Sequence, residues 1–265
     1  MEDDRTNKRL SGDRSITFFL GTHQPNWLAT SRVPLFVSDR RLRSYRQLPR
    51  AEVPWALDSG AFTELATHGG WHHGPTPEQY AARVRRYQRE IGNLLWAAPQ
   101  DWMCEPHILT KTGLSVVEHQ RRTAANFYVL RRLAPDLPFI PVVQGWTAAD
   151  YIRCVALYRE AGVDLTSEHL VGVGSICRRQ GSAEVETILR ALHAAGITRL
   201  HGFGVKLVGL RRCGHLLASA DSLAWSFSAR RSPRLPDCVG RHRNCANCPL
   251  FAYRWRDRLI GRITT

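Results

Sequence analysis

A chain of 265 residues, 43% of them hydrophobic, is long enough and apolar enough to bury a full core, which excludes disorder as its ground state. Its 37 Lys and Arg against 23 Asp and Glu leave a formal charge of +14, a balance foreign to enzymes of small neutral metabolites and suited to a polyanionic partner. The excess is carried by arginine, since Lys8, Lys111 and Lys206 are the only lysines; a GC-rich codon usage accounts for that choice of residue as well as phosphate recognition does, but not for the net excess.

Residues 1–15, "MEDDRTNKRLSGDRS", read as a mobile polar lead without the apolar middle of a secretory signal. With no run of about 18 apolar residues anywhere, the expectation is a cytoplasmic chain that spans no membrane. β-type runs then recur at 16–22, 34–39, 54–60, 93–101, 138–145, 169–175, 199–205 and 216–222. Most are separated by helical periodicity. A helix follows Thr76 with Pro77 at its first position, a second covers 114–133, and two more run from the N-cap candidates Thr147 and Ser182 to Gly162 and Gly196. Near-continuously apolar strands alternating with helices indicate an α/β fold with a helix-covered parallel sheet. Eight of them fit a TIM (β/α)8 barrel better than an open sheet. Residues 16–265 are therefore expected to form one domain, with a small zinc-binding appendix after the last strand at about 236–250.

In such a barrel the chemistry sits at the C-terminal strand ends. There the runs carry Asp58, Asp101, Gln144, Gly172 to Ser175, Gly202, Gly204 and Asp221. Taken singly, Asp58 and Asp221 fit helix caps, Asp101 a surface turn, and Gln144 a side chain satisfied by loop backbone. As an ordered set, "DSGAF", "QDWMCEP", "VVQG", "VGVGS" and "ADS" resemble the tRNA-guanine transglycosylase superfamily, whose barrel enzymes exchange guanine in nucleic acid for a 7-deazaguanine. The resemblance spans about residues 16–250. One departure is Ala61, where the family commonly has a second glycine.

The resemblance implies Asp221 as the nucleophile at C1′ of the target nucleotide and Asp58 as the general acid/base. It implies Phe62 as the aromatic stacked on the base, with Asp101, Gln144 and the Gly172 backbone reading the base edge. The chemistry suits that division: a carboxylate can stabilise and then trap an oxocarbenium-like sugar while a second group manages the proton of the base. The target base must leave its stack, by flipping or in a single strand.

"CVGRHRNCANCP" gathers Cys238, His242, Cys245 and Cys248, four ligands of the kind a structural zinc takes; an iron–sulfur cluster or a redox dithiol are the alternatives. The superfamily carries a structural zinc at this point, but from a Cys-x-Cys-x2-Cys cluster with a distant His. His215 is thus a substitute candidate for the fourth ligand. Cys104, Cys154, Cys177 and Cys213 are scattered and read as core or loop thiols.

Arg230, Arg231 and Arg234 are interleaved with Trp225 and Phe227 just after Asp221, a pattern suited to phosphate clamping and base stacking, and residues 38–50 add a second basic stretch. His72, His73 and His23 lie in loops where surface placement and substrate contact are both open. The chain is shorter than the usual tRNA enzymes, so the resemblance is closest to the DNA-modifying branch. The implied partners are DNA, or tRNA as the alternative, and a free base such as 7-cyano-7-deazaguanine; homodimers are common in the superfamily. Two rivals stand beside this reading, a non-catalytic zinc-stabilised nucleic-acid-binding barrel and a nucleoside or glycosidic hydrolase that uses the same carboxylates with water as acceptor.

Overall fold

A computed structural model describes residues 16–263; the lead over 1–15 lies outside them. In chain order the elements are β1 (Thr17–Thr22), β2 (Leu35–Ser38), α1 (Asp39–Leu42), β3 (Trp55–Asp58), α2 (Ala61–His68), α3 (Pro77–Glu90), β4 (Leu94–Ala97), α4 (Pro106–Thr112), α5 (Val116–Leu133) and β5 (Val142–Val143). There follow α6 (Ala148–Glu160), β6 (Val171–Val173), α7 (Ala183–Ala194), β7 (Leu200–Gly202), α8 (Leu207–Cys213), β8 (Ser219–Ser222), α9 (Ala224–Arg231) and α10 (Pro249–Gly261).

All the strand ladders are parallel, in the order β4-β3-β2-β1-β8-β7-β6-β5. The two end strands meet where Ala97 pairs with Phe139: Ala97 N–H donates to Pro138 O at 2.9 Å and Ile140 N–H to Ala97 O at 3.1 Å. A parallel β/α sheet curled until its edges bond is a barrel, and each expected run contains one of the strands.

Alternation along the strands separates two cores. Phe19, Ala56, Trp96, Ala98, Ile140 and Leu170 are buried together inside the barrel, with Phe36 and Phe203 packed on them. Phe18, Leu20, Leu35, Val37, Trp55, Leu57, Val171 and Val173 point outward into the larger core beneath the helices. Asp58 shares the parity of inward-facing Ala56, so the fold itself turns this carboxylate toward the barrel axis.

The helices have local causes. Thr76 and Gln79 form a capping box ahead of α3 with Pro77 at its start, and Thr147 and Asp150 do the same for α6. Ser115 caps α5 through Glu118 N–H. Ser182 occupies the N-cap position of α7 but makes no capping bond there. Gly162 and Gly196 follow the ends of α6 and α7 at φ +79° and +86°, values that suit glycine. Two short helices, α2 and α4, are inserted between strand end and main helix on the same side of the barrel and touch each other. Among the described residues no helix is long and apolar enough to cross a membrane.

Candidate active site

Asp58, Asp101 and Asp221 line one pocket of about 210 Å³ at the C-terminal mouth of the barrel, together with Phe62, Glu105, Ser175, Cys177, Phe203 and Gly204 among others. Each carboxylate reaches it by a different route. Asp58 is the last residue of β3, and its Oδ1 accepts the Gly60 N–H at 3.0 Å. That turn needs φ +85° at Gly60 and not at Ala61, which is the first residue of α2. The methyl in place of a second glycine is therefore tolerated. Asp101 lies four residues beyond β4 and is buried. Asp221 stands inside β8, level with Phe19 of β1.

The environments of the three differ. Burial, reinforced by the nearby charges of Asp221 and Asp39, raises the pKa of Asp58 against the opposing bonds from Gly60 and Ser38. Burial pushes Asp101 up to about 7, with the charge of Asp58 next in weight and a bond from Gln144 opposing. The Asp221 Oδ1 accepts the Gly204 N–H at 2.9 Å and lies 3.3 Å from His201 Nε2.

Gln144, expected against the base, is instead fully buried behind Asp101: its Nε2 donates to Asp101 Oδ2 at 2.5 Å, and its Oε1 lies 2.7 Å from Ser175 Oγ. The side chain passes so close to Gly174 that a Cβ there would sit 2.2 Å from Nε2. Ser175 Oγ also accepts the Cys104 N–H at 2.7 Å and lies 2.9 Å from Glu105 Oε2. The pocket wall is thus one chain of contacts, Asp101 to Gln144 to Ser175 to Glu105. Gly172 lies within β6, outside the pocket lining; its N–H is spent on Pro141 O, and a Cβ on it would strike Phe203. The residues of that turn that face the pocket are Gly174 and Ser175.

Phe62, 44% exposed on α2, forms part of the pocket rim. The guanidinium of Arg178 sits 5.5 Å from its ring centre and His107 lies 6.4 Å away. Arg178 belongs to the segment after β6, so two strand-end segments meet over the pocket opening.

The basic stretches converge beside it. Arg41 and Arg230 both act on half-buried His23, whose pKa is lowered first by burial and then by these two charges. The 38–50 stretch and the end of α9 therefore share one face. Arg230, Arg231 and Arg234 are exposed and stand outside the pocket lining; Arg231 stacks on Phe227 at 3.8 Å, and Arg234 donates to His242 O at 3.2 Å.

After α9 the chain forms the cysteine appendix. Cys238, His242, Cys245 and Cys248 each offer a ligand atom, and these atoms lie within 4.8 Å of one another. Cys238 and Cys248 Sγ are 3.6 Å apart and His242 Nε2 is 3.3 Å from Cys245 Sγ. A tetrahedral ion with metal–sulfur bonds near 2.3 Å sets its sulfurs about 3.8 Å apart, so the donor set fits a metal of the zinc kind. The histidine inside the cluster completes the set, and His215 sits in the turn ahead of β8. Cys248 then stands at the N-cap position of α10, with Pro249 at its first position, so a metal here would tie the last helix to the barrel.

Sequence reasoning missed Glu105, His201, Phe36, Phe203 and Met103. Glu105 carried a faint signal, an acid beside Asp101 in "QDWMCEP"; His201 carried none within its apolar run.

Comparison with known proteins places this arrangement in a family. The family described as DpdA, DeoxyPurine in DNA protein A, matches residues 15–264. No curated protein matches the chain. Among solved structures it is similar to the carboxyl transferase domain of Rhizobium etli pyruvate carboxylase with 3-bromopyruvate, at 13% identity and a TM-score of 0.40. That alignment covers 95% of this chain and 48% of the other, so the chain spans about half of that structure's length.

Proposed function

The chain belongs to the family of DeoxyPurine in DNA protein A, and from that premise we propose that it is a base-exchange transglycosylase, replacing guanine in DNA by a 7-deazaguanine through a covalent aspartyl–sugar intermediate. The observation that carries the reading is the meeting of Asp58, Asp101 and Asp221 in one pocket at the barrel mouth.

Asp221 is the nucleophile. Its Oδ1 is held by Gly204, which leaves Oδ2 to attack C1′ as the C1′–N9 bond breaks. The raised pKa of Asp58 keeps a proton available for the departing guanine beyond the pH range of an ordinary aspartate. Asp101 in its ionised form accepts from N1–H and the exocyclic amine, with Gln144 fixing its direction from behind. Phe62 stacks on the base once Arg178 has made way. The incoming 7-deazaguanine reverses the step: its N9 attacks C1′, Asp221 is expelled, and Asp58 takes the N9 proton.

The arginines around His23 bind phosphates and hold the strand while the target base enters. The Cys3His group takes structural zinc. One domain spans the described chain, and the protein works on DNA with a free base as second substrate; tRNA is the alternative polymer.

Labelled guanine in DNA or tRNA, incubated with 7-cyano-7-deazaguanine, tests the reading. Exchange releases guanine and incorporates the new base one for one on DNA. Release without incorporation means hydrolysis, and no release with intact binding means a binding barrel. Asp58→Ala or Asp221→Ala should abolish turnover, whereas a binding barrel would keep its full function with both removed.

A further inference from the structure

One buried polar group has no part in the reaction above. His201 of β7 is 0% exposed inside the barrel, against Trp96 at 4.6 Å, Phe203 at 4.7 Å, and Phe19 and Phe36 at 6.0 Å between ring centres. A two-nitrogen ring in such surroundings is costly unless both nitrogens find partners. Both do: Nδ1 lies 2.8 Å from Ser219 Oγ, and Nε2 lies 3.3 Å from Asp221 Oδ1. An ionised carboxylate only accepts, so Nε2 carries the hydrogen that faces Asp221. Register makes the chain of contacts, because His201 pairs directly with Ser219 and Asp221 follows two residues later on the same face of β8. Among the described residues, the hydrogen bonds that hold this carboxylate, from His201 and from Gly204 N–H, both end on Oδ1.

We propose that His201 is a positioning residue for Asp221: with the Gly204 amide it pins Oδ1, selects Oδ2 as the attacking atom, and stabilises the carboxylate when the sugar leaves it. The inference rests on the transglycosylase reading of the pocket. In the first half-reaction Oδ2–C1′ forms while C1′–N9 breaks, the electron pair goes to guanine, and guanine takes a proton from Asp58. Oδ1 then becomes an ester carbonyl, still facing both donors. In the second half the N9 lone pair of the incoming base forms the new bond to C1′, the Oδ2–C1′ pair returns to the carboxylate, and the N9 proton goes to Asp58. A donor binds a carboxylate more strongly than an ester carbonyl. Losing one therefore slows the second half more than the first, and the covalent adduct accumulates.

His201→Phe keeps a ring against the four aromatic neighbours and removes both nitrogens. The expected result is a fall in kcat of about 10²-fold, the scale of losing one such donor, with KM for DNA falling alongside it and kcat/KM for DNA changed far less, as a limiting second half requires. A larger share of the enzyme is then trapped on DNA as a denaturant-stable adduct. His201→Gln, which restores an N–H toward Oδ1, recovers at least part of the rate. If His201→Phe does not fold, Ser219→Ala decides the matter, because it leaves the ring in place and frees Nδ1: a fall of about tenfold in kcat with adduct build-up supports the proposal, and an unchanged rate overturns it. Wild-type exchange together with a His201→Phe rate within threefold and no extra adduct overturns the inference alone. Absence of exchange in the wild type overturns the underlying reading, and this inference with it.

Discussion

Replacing Asp101 by asparagine should make the protein more stable and less able to bind its base. Asp101 is buried, and its carboxyl is pushed from 3.8 up to about 7, first by burial and next by the charge of Asp58. A folded-state pKa above the unfolded one means that the native state holds the proton longer. Below about pH 4 both states are protonated and the group contributes nothing. Between about pH 4 and 7 the unfolded chain ionises while the native one does not, so stability falls as pH rises, and above pH 7 the full penalty stays. A rise of that size corresponds to about 4 kcal/mol, and the variant should gain about 2–4 kcal/mol at its plateau. The carboxamide of the Asp101→Asn variant keeps an oxygen for Gln144 Nε2 and escapes the penalty. Denaturant unfolding of both proteins from pH 4 to 8.5 measures this: the advantage of the variant should be near zero at pH 4 and grow to its plateau near pH 7.5. A difference that does not grow with pH, or a variant less stable at pH 8, refutes the reasoning. In the same variant, binding of free 7-cyano-7-deazaguanine should weaken by at least tenfold, since a carboxamide cannot accept from two N–H groups as a carboxylate does.

Three further outcomes follow. DNA affinity should fall steeply with salt, and Arg230→Ala with Arg231→Ala should reduce the slope of log K against log salt by about two, as for two lost phosphate contacts; filter binding from 50 to 300 mM salt reads it. Chelation at neutral pH, or Cys245→Ser, should lower the melting temperature measured by scanning calorimetry, because a metal held by Cys238, His242, Cys245 and Cys248 would link the segment after α9 to α10. Phe62→Leu should raise KM for the free base several-fold with little change in stability, because the ring is 44% exposed and contributes little to the core.

How much of this was legible in the sequence depends on what each residue signals. The eight β-type runs each contain a strand, since near-continuous Val, Leu and Phe under helices has few other solutions. The regular strands are shorter than the runs: 93–101 and 138–145 contain Leu94–Ala97 and Val142–Val143, because the apolar character extends past the regular ladder into buried segments, of which 138–140 meet β4 only through the single bridge at Phe139. Asp58, Asp101 and Asp221 were visible as acids at strand ends; the five short motifs pointed to the tRNA-guanine transglycosylase superfamily and the chain length to its DNA-modifying branch, and the family of DeoxyPurine in DNA protein A matches residues 15–264. Glycine has no side chain to fix register, so "VGVGS" did not reveal that Gly172 is inside β6 and Gly174 outside it. Gln144 was legible as a site residue but not as one facing Asp101, since that follows from the neighbouring strand. His201 was hidden because only closure of the barrel shows which parity of "RLHGFGV" points inward. The helices α2 and α4 are too short for their periodicity to stand out, and they carry Phe62 and His107.

The proposed exchange requires that the sugar be held covalently on Asp221 while the bases change places. Trapping the enzyme on guanine-containing DNA without a second base, digesting the adduct and locating the deoxynucleotide by mass spectrometry tests it directly. The expected result is a single modified peptide with the sugar on Asp221, lost in Asp221→Ala. An adduct on another residue, or exchange at the wild-type rate in Asp221→Ala, would contradict it.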